Sequence, residues 1–139
     1  MPAIEGRKKG FWLMQLFWAV VIAAIAYAYL SDEGFVYTLI AAFTIGIFQL
    51  CGAFVYLGYV GMLAGYNTMS PEEQSKYDMV KMSSFLGIFW VMTAFISFSA
   101  SFIAMITVGE TAAFAVLMIL LLAPLFISVF CVNTKKFKK

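Results

Sequence analysis

A short polar stretch of this sequence gathers the side chains best suited to acid–base chemistry. Glu72, Glu73 and Asp78 lie close together there, beside Lys76 and Tyr77. Paired carboxylates can serve as a general acid and a general base. The chain contains no histidine, however, and no nucleophile–base pair is visible in it. We therefore expect no catalytic residues, and we predict that the protein is not an enzyme.

The sequence also gives no sign of a metal or cofactor site. Cys51 stands inside an apolar run and Cys131 at the end of another, without the spacing of a zinc site. A glycine-rich phosphate loop is missing as well. The formal net charge of +2 is too small to imply a nucleic-acid partner. We expect no metal ligands, no cofactor and no nucleic acid.

The polar stretch has instead the pattern of a helix N-terminus. Pro71 follows Ser70, and Glu73 stands at the position where a glutamate completes a capping box with that serine. No glycine or proline then appears before Gly87. The pattern therefore predicts a polar helix that continues into the apolar segment behind it.

Long apolar runs make up most of the chain. It has 139 residues, of which 64 % are hydrophobic and only 12 % are charged. About 20 apolar residues are enough to cross a bilayer as a helix. The fold class that we predict is a single all-α integral membrane domain over 1–139, a four-helix bundle with a helical extension before the third span. The predicted spans are about 10–30, 35–65, 83–107 and 111–132, with a polar loop at 66–82.

The distribution of charge predicts the orientation of these spans. All nine basic residues lie before the first run, in the polar loop or after the last run, whereas Asp32, Glu33 and Glu110 occupy the other two loops. Lysine and arginine are retained on the cytoplasmic side of membrane proteins. We predict a multi-pass protein of the cell membrane with both termini in the cytoplasm. Its partners would include the lipid bilayer, with anionic headgroups at the basic termini.

Small and weakly polar residues within the spans predict close helix contacts. Gly58, Gly61 and Gly65 fall on one face of the second helix at i, i+3 and i+7, which predicts close packing against a neighbouring helix, with a hinge or helix end as the alternative. Ser97 and Ser101 would lie on one face of the third span in the same way. Such faces let two helices approach closely in a membrane.

Gln49 is the strongest polar residue near the middle of the second span. Its amide has donors and an acceptor that need partners in hydrocarbon. Two interpretations remain open: a hydrogen bond between helices, or the lining of a polar pocket.

The polar loop resembles the shared segment of a known family. Gly-Tyr-Asn-Thr occupies 65–68, a Ser-x-Glu-Glu helix start 70–73, and Lys-Tyr-Asp 76–78. This segment is similar to that of small prokaryotic membrane proteins of the domain-of-unknown-function family DUF3784. The resemblance implies a membrane protein whose cytoplasmic loop is of functional interest, and it implies no activity or ligand. The candidate functional residues of the loop are Gly65, Tyr66, Asn67, Thr68, Ser70, Glu73, Tyr77 and Asp78.

Three functions agree with these features. The first is a non-enzymatic membrane protein that acts through helix–helix or protein–protein contacts, as a homo-oligomer or as an accessory subunit of a larger membrane protein. The second is a small transporter or channel-like carrier with a polar site near Gln49. The third, suggested by analogy of architecture alone, is an immunity-type membrane protein.

Overall fold

The fold is known from a computed structural model, which describes residues 4–29, 35–63, 65–133 and 137–139. Over these residues the predicted all-α class is confirmed, and no strand occurs among them beyond one isolated bridge. A 3-10 turn, Val60–Met62, follows the second helix. The helices are α1 (Lys8–Tyr29), α2 (Phe35–Leu57), α3 (Pro71–Ser75), α4 (Met79–Thr107) and α5 (Glu110–Asn133).

Three helical segments are long and apolar enough to cross a membrane. They are Leu39–Leu57, Met79–Thr107 and Glu110–Cys131, with mean hydropathies of 2.0, 1.9 and 2.8. Helices of this kind are typical of a multi-pass membrane protein. The 22 residues of α1 correspond to about 33 Å of helix, and its crossing of the membrane stays a prediction.

α2 ends at Leu57, so the predicted second span reaching residue 65 is wrong. Gly58 has a φ of 109°, in the left-handed region that favours glycine. Its N–H donates to the Val55 carbonyl at 2.9 Å, and the Tyr59 N–H donates to the Phe54 carbonyl at 3.1 Å. These two bonds form a Schellman cap, which satisfies the last carbonyls of the helix and turns the chain away from its axis.

This helix end also overturns the predicted glycine face and agrees with the alternative, a helix end at these glycines. Gly58 forms the cap, Gly61 lies in the 3-10 turn, and Gly65 has a φ of 89° in a later turn. A Cβ added to Gly61 would meet no described residue within 4 Å. Gly58 and Gly65 therefore take left-handed turns after α2, and the predicted face on one continuous helix does not form.

A break separates α3 from α4, so the predicted continuous polar helix is wrong too. α3 ends at Ser75, and Asp78 has an extended backbone with φ of −80° and ψ of 93°. Its carboxylate accepts a hydrogen bond from the Lys81 N–H at 3.0 Å. An aspartate can thus cap a new helix in place of continuing an old one. α4 accordingly begins at Met79, before the predicted position 83.

Two glycines bring α2 and α4 into backbone contact. A Cβ added to Gly52 would stand 2.7 Å from the Trp90 Cβ, and one added to Gly87 would stand 2.4 Å from the Tyr56 nitrogen. Neither distance is compatible with a side chain. The helices can pack this closely only because both positions are glycine, as in other membrane helix pairs.

One buried cluster takes side chains from all four long helices. The aromatic ring of Trp18 packs against Phe95 and Phe98 at centroid distances of 5.0 and 5.6 Å, which are favourable edge-on contacts. The buried members of the cluster are Trp18, Ala41, Ala42, Ile45, Ala94, Phe98 and Leu117.

α5 packs on α4 through polar as well as apolar contacts. The Ser101 hydroxyl donates to the Ala113 carbonyl at 3.0 Å, and the Trp90 indole N–H donates to the Ser128 hydroxyl. Only 17 % of the apolar stretch of α5 is buried, compared with 39 % of the apolar stretch of α2. α5 is therefore the least covered of the three candidate spans, and its apolar outer surface is suited to contact with lipid.

Candidate functional site

The long connection between α2 and α4 folds on a core of its own. We call it the loop platform: the described residues of 58–78 together with the tail residues 137–139. All eight candidate loop residues lie in it. Its core continues into the ends of α2 and α4, and the buried residues are Val55, Val60, Leu63, Tyr66, Tyr77, Met82, Leu86, Trp90 and Phe137.

Two buried tyrosines hold the middle of the platform. The rings of Tyr66 and Tyr77 meet edge to face with centroids 5.9 Å apart. The Gln74 amide donates to the carbonyls of Tyr66 and Met69 at 3.1 and 3.2 Å, so the side chain of α3 fixes the turn before it. Burial raises the pKa of the Tyr66 hydroxyl above its usual value of 10.0.

The C-terminal tail completes the platform from the far end of the chain. Phe137 is 1 % exposed. Its carbonyl accepts a hydrogen bond from the Asp78 N–H at 2.8 Å, and the Lys139 N–H donates to the Lys76 carbonyl at 2.8 Å. The tail thus runs beside the break between α3 and α4 and occupies backbone groups that the break leaves free.

The outward side of the platform is polar. Asn67, Thr68, Ser70, Glu72 and Glu73 are all exposed. The predicted capping box is confirmed, since the Ser70 hydroxyl accepts from the Glu73 N–H and the Glu73 carboxylate accepts from the Ser70 N–H, each at 3.3 Å. Glu73 therefore has a structural use, and the carboxylate of Glu72 lies 3.9 Å from the Lys76 ammonium.

Among the described residues, no group of three or more histidine, cysteine, aspartate or glutamate side chains is placed to hold a metal. A hollow of about 240 Å³ opens beside the tail, lined by Met69, Glu73, Lys76, Tyr77 and Lys138. It presents one carboxylate and two ammonium groups.

Arg7 joins the N-terminal segment to α2 and α4 at the edge of the platform. Its position in the sequence indicates a positive charge and does not indicate these contacts. Its guanidinium donates to the Tyr56 carbonyl at 2.7 Å, the Ser83 hydroxyl at 2.9 Å and the Val80 carbonyl at 3.0 Å. It also lies 5.0 Å from the centre of the Tyr56 ring. Since the Tyr56 carbonyl belongs to the last turn of α2, a cation there is favourable for the helix dipole.

The polar residues predicted within the spans are buried inside the chain. Gln49 and Ser97 are both 0 % exposed. Neither the Gln49 amide nor the Ser97 hydroxyl has a hydrogen-bond partner among the described residues, whereas Ser101 bonds to the Ala113 carbonyl. Gln49 lies one turn before Gly52 on the same face of α2, and it therefore faces α4.

Comparison with known proteins identifies the family. The model of DUF3784, a domain of unknown function, matches residues 38–136. This match covers α4, α5, the long loop and most of α2. No match is found among the curated proteins or among the solved structures. Since the matched residues are well over half of the chain, this protein belongs to the DUF3784 family.

Proposed function

We propose that the protein is a non-enzymatic accessory protein of the cell membrane that binds another membrane protein through its loop platform. The observation that carries this proposal is the construction of the platform itself. A short turn is enough to join two neighbouring membrane helices, and long ordered loops are usually functional. Here the loop has a buried aromatic core and is held from behind by the tail.

The proposal includes four spans and a cytoplasmic platform. α1 contributes Trp18 to the cluster that α2, α4 and α5 share, as the first helix of a four-helix bundle would. Arg7, Lys76, Lys81, Lys138 and Lys139 lie at the platform end of the helices, and Glu110 begins α5 at the other end. The rule that keeps basic residues inside then favours a cytoplasmic platform.

The exposed side of the platform suits a protein partner. Glu72 and Lys76 offer both signs of charge, and Asn67 and Thr68 offer hydrogen-bonding groups on a backbone that is already ordered. A preordered surface loses little conformational entropy when it binds, which favours affinity.

Site-specific photo-crosslinking in the native membrane tests this proposal. We expect Asn67→p-benzoylphenylalanine to give a discrete cross-linked product, whereas the same replacement of the exposed Val108, at the opposite end, gives none at that mass. Glu72→Lys should weaken the Asn67 product, and Glu110→Lys, the same charge change at the opposite end, should leave it unchanged. A product of twice the mass of the chain would identify a homo-oligomer in place of an accessory role.

The second candidate is the small transporter, and the unpartnered amide of Gln49 is the observation in its favour. A carrier would use that amide to bind a polar solute or water between α2 and α4. Proteoliposomes with Gln49→Leu should then lose solute or water flux relative to the unchanged chain, and equal flux from both would reject the carrier.

A further inference from the structure

Two depressions on the outer side of α4 join into one groove. The first has a volume of about 670 Å³ and begins beside Arg7 and Lys81. The second, of about 500 Å³, lies between α1 and α4. Ile88 and Met92 line both of them. We call the joined depression the α4 groove. It runs from the edge of the loop platform along the apolar part of the helix.

The beginning of the α4 groove is cationic. Two cations, Arg7 and Lys81, line this end together with one carboxylate, that of Asp78. The Asp78 carboxylate already accepts a hydrogen bond from the Lys81 N–H. A guanidinium has five N–H donors, and Arg7 uses three of them on Tyr56, Ser83 and Val80. The group is therefore held in place and still has donors for an anion. Phosphate oxygens form strong, charge-assisted bonds with such groups.

Beyond Ser84 the α4 groove is apolar over the depth of one leaflet. Phe85 lies one turn beyond Lys81, and Phe95 lies at the far end between α1 and α4. These two phenylalanines are about 15 Å apart along the helix axis. Half of a bilayer's hydrocarbon core is also about 15 Å thick. A cationic end and an apolar wall of this length match the two parts of a phospholipid.

We propose that the α4 groove binds an anionic glycerophospholipid. Its phosphate lies between Arg7 and Lys81, and one acyl chain lies along Ile88 and Met92. The inference rests on the proposed insertion of the protein in a membrane with Arg7 at the cytoplasmic surface. It goes beyond the proposed protein partner, because the groove is on the outer side of α4 and the partner surface is on α3 and the turn before it. A zwitterionic phospholipid binds less tightly, since its headgroup brings no net charge to the two cations.

The experiment uses the full chain in nanodiscs of phosphatidylcholine that contain a small fraction of photoactivatable phosphatidylglycerol. Mass spectrometry locates the labelled residues. We expect labelling between residues 85 and 92, and weaker labelling by the equivalent phosphatidylcholine probe. Lys81→Gln should reduce the phosphatidylglycerol label about fivefold, as one basic residue near the surface predicts. Lys138→Gln removes the same charge outside the groove and should leave the label unchanged.

A second variant tests the groove without a change of charge. Met92→Trp fills the wall that the two depressions share, and it should reduce the label at 85–92. Circular dichroism confirms that each variant is folded. Equal losses in Lys81→Gln and Lys138→Gln would show only general surface attraction and would overturn the proposal, as would full labelling of Met92→Trp.

The source of the phosphate is tested by competition. Excess inorganic phosphate should leave the lipid label unchanged, and displacement by it would identify a soluble anion and overturn the lipid assignment. The Asn67 cross-link gives an independent reading of the protein partner. If the Asn67 cross-link is retained but the lipid label is not specific, the lipid site is rejected and the protein partner is not.

Discussion

Gly87 in α4 lies directly against the backbone of Tyr56 in α2. A Cβ added to Gly87 would stand 2.4 Å from the Tyr56 nitrogen and 2.5 Å from its Cα. Because both neighbours are backbone atoms, neither can move aside unless a whole helix shifts. This one position therefore limits how closely the two central helices pack.

Gly87→Ala should destabilise the protein. We expect the free energy of unfolding to fall by about 1–3 kcal/mol, the usual cost of overpacking, although alanine favours a helix over glycine by roughly 1 kcal/mol. Gly61→Ala is the matched control, because an added Cβ there meets no atom within 4 Å in the part of the chain that the structure describes. Unfolding in detergent with increasing denaturant gives both values, and an equal effect of the two changes would contradict the close packing at Gly87.

Phe137→Ala should loosen the loop platform while the long helices stay folded. Removing a fully buried phenylalanine costs about 3–5 kcal/mol, and here the loss falls on the platform core that Phe137 shares with Tyr66 and Tyr77. Hydrogen exchange of the amides at 65–78 should accelerate. Phe126→Ala, at a ring that is 73 % exposed, should leave the exchange at 65–78 unchanged. Faster exchange in Phe126→Ala as well would show that the loss of protection is not specific to Phe137.

Replacement of Arg7 should weaken the junction between the N-terminus, α2 and α4. Arg7→Gln loses the charge and its three described hydrogen bonds, and we expect a loss of about 1.5–3 kcal/mol, the range for one bond to a charged group. Lys8→Gln changes the net charge equally at an exposed neighbour. Similar unfolding midpoints for the two variants would show that the contacts of Arg7 contribute little.

The buried Tyr66 predicts that the platform opens at high pH. Burial raises its pKa in the folded protein above the unfolded value of 10.0, so the folded state retains the phenolic proton more strongly. The resulting stability is fully present below pH 10.0 and is lost as the pH rises through the folded pKa. The protection factors of the platform amides, which compare each exchange rate with its intrinsic rate at the same pH, should therefore fall above pH 10.0. Tyr66→Phe should remove that fall, while Tyr59→Phe, at an exposed ring, preserves it.

Gln49→Leu should leave stability unchanged or raise it. The amide is buried without a partner among the described residues, and an unsatisfied buried polar group costs about 1–3 kcal/mol. Ser101→Ala provides the contrast, because it removes the bond to the Ala113 carbonyl and should cost about 0.6 kcal/mol. A clear loss of stability in Gln49→Leu would mean that the amide has a partner such as a bound water molecule.

The positions of the long helices follow from the sequence because each apolar run is long enough to cross a bilayer by itself. Their ends follow less well. Gly58, Gly61 and Gly65 each can end a helix, and the choice of Gly58 depends on the cap bonds of Tyr59 and on the packing beyond it. The start of α4 at Met79 depends in the same way on a tail that lies far along the chain.

The sequence predicts which residues belong to the candidate site but not which of them are in contact. The local signal of the capping box was sufficient for Ser70 and Glu73. Arg7 and Tyr56 are 49 positions apart in the sequence, and no local sequence pattern predicts their contact. The glycine contact at Gly52 was missed because small residues are frequent throughout these helices, and only the facing helix distinguishes one from another.

The return of the tail to the loop platform has a consequence for how the chain is made. Residues 63–77 emerge from the ribosome before α4 and α5, but their core is complete only when Phe137 arrives. In the proposed membrane orientation, insertion of α5 in the reverse direction would place Phe137 on the other side of the bilayer from Tyr66 and Tyr77, and the platform core would stay incomplete. A complete platform core would therefore indicate that α4 and α5 have the proposed orientation.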